Sequence, residues 1–169
     1  TSFRDRLGTS SGFQSDQFRT LEYRLGLKDE SFLRFQADRP EARARLEAAL
    51  NAPTVYDDTI GQLVAHRLLA REALRGDVSQ PYEPSSEVEE AWLKVYTDTA
   101  RWWDLYQLAE KLVDLDDALQ TWRHKHVVTV ERIIGFKKGT GGTAGVPFLR
   151  KTLELTLFPE LIDVRTEIG

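Results

Sequence analysis

Apolar residues along the chain recur mostly at three- and four-residue intervals, the spacing of a helix face, and no stretch alternates as a half-buried strand does. Phe18, Leu21, Tyr23 and Leu25 mark a first helix, which Gly26 ends. Arg39-Pro40-Glu41 opens a second behind Asp38 as N-cap, and Asn51-Ala52-Pro53 closes it after Leu50. Thr54 caps a third helix, predicted to continue to about residue 75. A polar linker with two prolines spans 76–84. Ser86 and Glu89 then form a capping-box pattern. The helix behind it carries Val88, Trp92, Val95, Tyr96, Trp102 and Trp103 and is predicted to reach about Leu112.

A further helix is predicted from about Asp114, because the acidic run 114–117 suits a helix N-terminus. Its apolar side is one continuous stripe of Leu115, Leu119, Trp122, His126, Val130 and Ile133. Residues 139–145 form a glycine-threonine loop, a helix restarts at Pro147, and Phe158-Pro159-Glu160 punctuates its end. The expected fold class is all-α, with helices joined through amphipathic faces.

Composition narrows the function classes. The 169 residues suit one domain with a real core. With no cysteine, neither a disulfide nor a thiolate-bound zinc is possible. A cysteine-free chain also fits a cytoplasmic protein. The net charge of -4 is spread over interspersed signs, without the basic stripe of a nucleic-acid binder. No apolar run reaches the roughly 20 residues of a membrane span, and there is no secretory signal. The chain holds no methionine and opens directly on Thr1-Ser2-Phe3-Arg4, so an internal start within a longer polypeptide is expected.

Three features could carry chemistry. His126 lies within the apolar stripe of its helix and His124 does not. It reads either as a hydrogen-bonded core histidine or as the single axial ligand of a haem iron, which needs only one protein nitrogen on its proximal side. The lack of a histidine pair four residues apart excludes a zinc helix of the H-E-x-x-H kind. His124 and His66 read as surface residues. The loop Gly139-Thr140-Gly141-Gly142-Thr143-Ala144-Gly145 follows a helix and not a strand, which removes the phosphate-cradle readings. A flexible linker and a lid remain open: glycine gives the backbone freedom and threonine supplies hydroxyls. Arg4, beside a turn of small residues, is either solvated or a bidentate carboxylate grip. Trp92, Trp102 and Trp103 read as core or subunit contacts.

Four blocks together resemble the tryptophan 2,3-dioxygenase family: Phe3-Arg4-Asp5-Arg6-Leu7-Gly8-Thr9-Ser10-Ser11-Gly12-Phe13-Gln14-Ser15, Trp122-Arg123 with His126, Gly139-Thr140-Gly141-Gly142, and Phe158-Pro159-Glu160-Leu161. Their order and spacing match over essentially the whole chain. The resemblance implies an all-α bundle of the tryptophan/indoleamine dioxygenase type. It implies a haem-dependent homotetramer that opens the indole ring of L-tryptophan with O2 to give N-formylkynurenine, the first step of the kynurenine pathway. It further implies that His126 is the proximal ligand of haem b and that Arg4 binds the substrate carboxylate. Thr140 would contact the substrate ammonium and carboxylate, and Leu7, Ser11 and Gly12 would line the pocket. Residues 1–169 would then be the C-terminal portion of a single haem dioxygenase domain, with 137–146 as its lid. The family's N-terminal part, which carries a distal histidine and further pocket residues, has no counterpart here, so no catalytic residue is assigned and residues 1–169 alone are expected to be inactive. Competing expectations are a haem-dependent hydroxylase acting on another aromatic amino acid, and an inactive helical fragment.

Overall fold

The computed structural model describes residues 16–28, 39–134 and 156–168, and these are helices and turns with no strand among them. They belong to two compact units, 1–94 and 95–169.

In the first unit, α1 (Asp16–Leu25) packs against α2 (Pro40–Leu50) through Tyr23, Leu46, Ala49 and Leu50. Gly26 ends α1 at φ 107°, a conformation that a Cβ would strain. The Leu27 N–H bonds back to Glu22 and the Gly26 N–H to Tyr23, which completes a Schellman end. Pro40 stands at the start of α2, where its missing N–H costs nothing, but the N-cap is Arg39 with no side-chain cap. The expected cap, Asp38, lies outside the described residues.

The third helix, α3 (Val55–Ala65), begins as the sequence predicts. Thr54 and Asp57 form a reciprocal capping box. Its end falls ten residues before the predicted one. Arg67 takes φ 61°, its N–H bonds to Val64, and that of Leu68 to Leu63, a second Schellman end. A 3-10 turn at Arg71–Ala73 follows. Sequence reading runs through this stop because an arginine holds the position that glycine usually marks. The helix α4 (Ser86–Thr97) starts one residue before the predicted cap allows: the Ser85 carbonyl accepts the Glu89 N–H, so Ser86 is already helical.

The second unit is built on α5 (Trp103–Ile134), 32 residues and about 48 Å long at 1.5 Å per residue. The break predicted near Asp114 lies instead at 98–102, where the Asp98 carboxylate accepts the Arg101 N–H and the Asp98 carbonyl that of Trp102. The acidic run 114–117 is mid-helix. Asp116, within that run, is buried in line with Leu105, Ala109, Leu112, Val113, Leu119, Arg123 and Val127. The last helix, α6 (Pro159–Ile168), begins where a helix end was expected. Pro159 is its first residue, Glu160 lies in its first turn, and Phe158, Leu161 and Val164 are buried beside it.

Candidate functional site

The buried face of α5 is offset by one position from the apolar stripe read in the sequence. Leu119 is in the core, but Leu115, Trp122 and Ile133 remain 37%, 37% and 45% exposed, and His126 and Val130 are half-buried. Two polar residues on the inner face, Asp116 and Arg123, produce the offset. They break the apolar pattern where it meets the core, while Trp122 and Ile133 extend it where it does not.

His126 therefore sits at the edge of the core. Trp122, one turn earlier, stacks on its ring with centroids 5.1 Å apart and planes 11° from parallel. The Nδ1 of His126 exposes less than 1 Å², while the residue as a whole is half-buried. A half-buried imidazole with one nitrogen sheltered and exposed apolar side chains along the same helix fits a single protein ligand to a flat apolar cofactor such as haem. Among the described residues there is no group of three or more histidine, cysteine, aspartate or glutamate side chains that could hold a metal by themselves. His66 is exposed at the end of α3, with Nδ1 2.7 Å from the Gln62 carbonyl, and His124 is exposed, both as expected. Of the tryptophans read as core or contact residues, Trp92 is fully buried and Trp103 is half exposed.

Arg4, Leu7, Ser11, Gly12 and Thr140, the glycine loop and the helix expected from Pro147 lie outside the described residues.

Three polar constellations escaped the sequence reading because each joins residues distant in sequence. Arg75 donates to Asp57 from Nε at 2.6 Å and Nη2 at 2.8 Å, and also to the Gln80 carbonyl. Burial opposes ionisation of Asp57, but Arg75 and the Thr54 N–H outweigh it and hold the carboxyl below its usual range. Lys28 is buried and donates to the carbonyls of Leu50 (2.7 Å), Ala52 (2.6 Å) and Val78. Burial and the nearby Arg75 charge lower its pKa. These ties anchor the polar linker 76–84 beside a cavity of about 790 Å³ lined by Asp57, Ile60, Gln62, Tyr82 and Val88. In the second unit the Tyr96 hydroxyl donates to Glu110 at 2.9 Å, and Arg165 reaches the same carboxylate oxygen. Burial, then the bond to Glu110, pushes the Tyr96 hydroxyl up to about 12.

An all-helical chain with a half-buried histidine on the apolar edge of a long helix is the class that fold and site define. The chain belongs to the tryptophan 2,3-dioxygenase family, whose model matches residues 63–168, a stretch that includes His126 and the glycine loop. A tryptophan 2,3-dioxygenase of Caulobacter vibrioides is 64% identical over 99% of this chain and 64% of its own length. One of Bacillus cereus (strain ZK / E33L) is 52% identical over 98% of this chain and 60% of its own. One of Burkholderia pseudomallei (strain 668) is 53% identical over 99% and 55%. The chain thus spans about three fifths of the length of the curated relatives it matches. No described helix is long and apolar enough to cross a membrane.

Proposed function

We propose that this chain contributes the proximal side of a haem-dependent dioxygenase that opens the indole ring of L-tryptophan, inserting both atoms of O2 across the C2–C3 bond to give N-formylkynurenine. The observation that carries the reading is His126: a single histidine, half-buried, with one ring nitrogen withdrawn from water and exposed Leu115, Trp122 and Ile133 along the same helix. Family membership and relatives named tryptophan 2,3-dioxygenase support the substrate and the reaction.

Haem b, when bound, supplies the iron at which dioxygen is activated. His126 would hold that iron. Arg4 grips the substrate carboxylate with two parallel hydrogen bonds and so fixes the indole by its amino-acid end. Thr140 closes with loop 137–146, contacts the ammonium and carboxylate, and keeps water from the reacting ring. Leu7, Ser11 and Gly12 line the pocket beside the indole. The protein's share of the catalysis is orientation and exclusion of water. In this reading the enzyme works as a homotetramer in the cytoplasm.

The test is formation of N-formylkynurenine from L-tryptophan and O2 by the haem-loaded full-length protein. Product that incorporates both atoms of labelled O2 is expected. A hydroxylated amino acid carrying one labelled atom, or no turnover by a protein that has taken up haem, would overturn the assignment. Arg4→Ala is expected to weaken binding of tryptophan by about 2 kcal/mol and to leave that of tryptamine, which lacks the carboxylate, nearly unchanged.

A further inference from the structure

We propose that Trp122 is the positioning residue for His126, holding the plane of its imidazole in one orientation for the iron; this rests on the haem reading above. Four residues apart on α5, the two side chains are neighbours on one helix face. Their rings lie 5.1 Å apart and 11° from parallel, a stack rather than an edge contact.

Two observations separate this stack from ordinary packing. First, Trp122 is 37% exposed and lies off the inner face, where Leu112, Leu119 and Val127 fill the core. The indole is therefore not required as core volume. Second, rotation about χ2 of a histidine is broad, so a helix alone does not fix the ring plane. A flat aromatic face held nearly parallel to the ring restricts it, because turning the imidazole sacrifices the offset stack. Ligand histidines are commonly oriented by a hydrogen bond to the second ring nitrogen. The indole restricts the ring by its face in addition to whatever its nitrogens bond.

The experiment uses the full-length protein with haem, and the variants Trp122→Ala, Trp122→Phe, Trp122→Leu and His126→Ala. Two quantities are read: the rate of haem transfer to apomyoglobin, and the g-anisotropy of the ferric protein with cyanide added, which follows the imidazole plane. Trp122→Ala is expected to bind haem but to release it about two- to tenfold faster, the range that the loss of an aromatic pair corresponds to, with a broadened low-spin signal. Trp122→Phe restores a flat face and is expected to return both readouts towards the parent. Trp122→Leu has apolar bulk without a flat face and is expected to behave as the alanine variant does. Parent-like signals from Trp122→Ala, or rescue by leucine as complete as by phenylalanine, would overturn the proposal. His126→Ala keeps the two claims apart. If it retains haem with an unchanged Soret band, the ligand assignment fails. If it loses haem while Trp122→Ala is indistinguishable from the parent, the orienting role alone fails.

Discussion

Asp57→Asn removes one negative charge from the first turn of α3 and keeps the shape of the side chain. In the parent, that carboxylate accepts three hydrogen bonds: from Thr54 N at 2.8 Å, and from Arg75 Nε and Nη2 at 2.6 and 2.8 Å. The asparagine oxygen can still accept from Thr54, so most of the cap survives. The bidentate ion pair does not, because the amide nitrogen would face the guanidinium. Hydrogen bonds to charged groups contribute about 1.5–3 kcal/mol. Breaking a fully buried pair costs about 3–5 kcal/mol. The side chains of Asp57 and Arg75 are 10% and 20% exposed, and Arg75 keeps the Val78 and Gln80 carbonyls, so the loss should fall below that upper range. We expect about 2 kcal/mol at neutral pH, read as a lower midpoint with unchanged slope in urea unfolding. The pH dependence has a definite sign. The folded pKa lies below the unfolded one, so the stabilisation is complete above the ordinary carboxylate pKa and is lost as pH falls through the folded value. The gap between parent and variant should therefore shrink on acidification. A variant as stable as the parent at neutral pH, or a gap that stays constant down to strongly acid pH, would refute the reasoning.

Other changes test other parts of the fold. Arg67→Gly should stabilise by about 1 kcal/mol in thermal or urea unfolding, because Arg67 is held at φ 61°, where only glycine avoids a Cβ penalty. Leu46→Ala removes the fully buried centre of the α1–α2 contact and should cost about 2–5 kcal/mol by the same measurement. Burial raises the pKa of Asp116, whose Oδ1 lacks a hydrogen-bond partner among the described residues, although the Leu157 N–H opposes the rise. The folded state then holds this proton more tightly than the unfolded one, so its contribution to stability falls as pH rises past the ordinary carboxylate range. Asp116→Asn should accordingly gain on the order of 1 kcal/mol at neutral pH, with the gain vanishing in acid; equal stability gaps at both pH values would contradict this.

How much of this was legible in the sequence differs from element to element. Thr54 with Asp57, and Gly26, act through residues within five positions, and sequence reading found the boundaries they set. Arg67 stops α3 by a backbone conformation that arginine rarely adopts, so nothing in the residue type announces it. Asp116 and Arg123 hid the inner face of α5, because a buried charge reads as a surface position until its long-range partners are known. The same concealment put His126 on a stripe expected to be buried and left its two readings, core residue or ligand, unseparated, whereas the stripe borders the core and His126 is half-buried. Lys28 gathers carbonyls 22, 24 and 50 residues away, a relation that no local pattern encodes.

The central claim is that His126 binds the haem iron, and removing its side chain tests it most directly. His126→Ala, prepared in the full-length protein alongside the parent, should fold with parental helical content yet lose the Soret band, and added imidazole should restore haem uptake by filling the space the side chain leaves. A His126→Ala protein that keeps haem at the parental ratio with an unshifted Soret band would contradict the account.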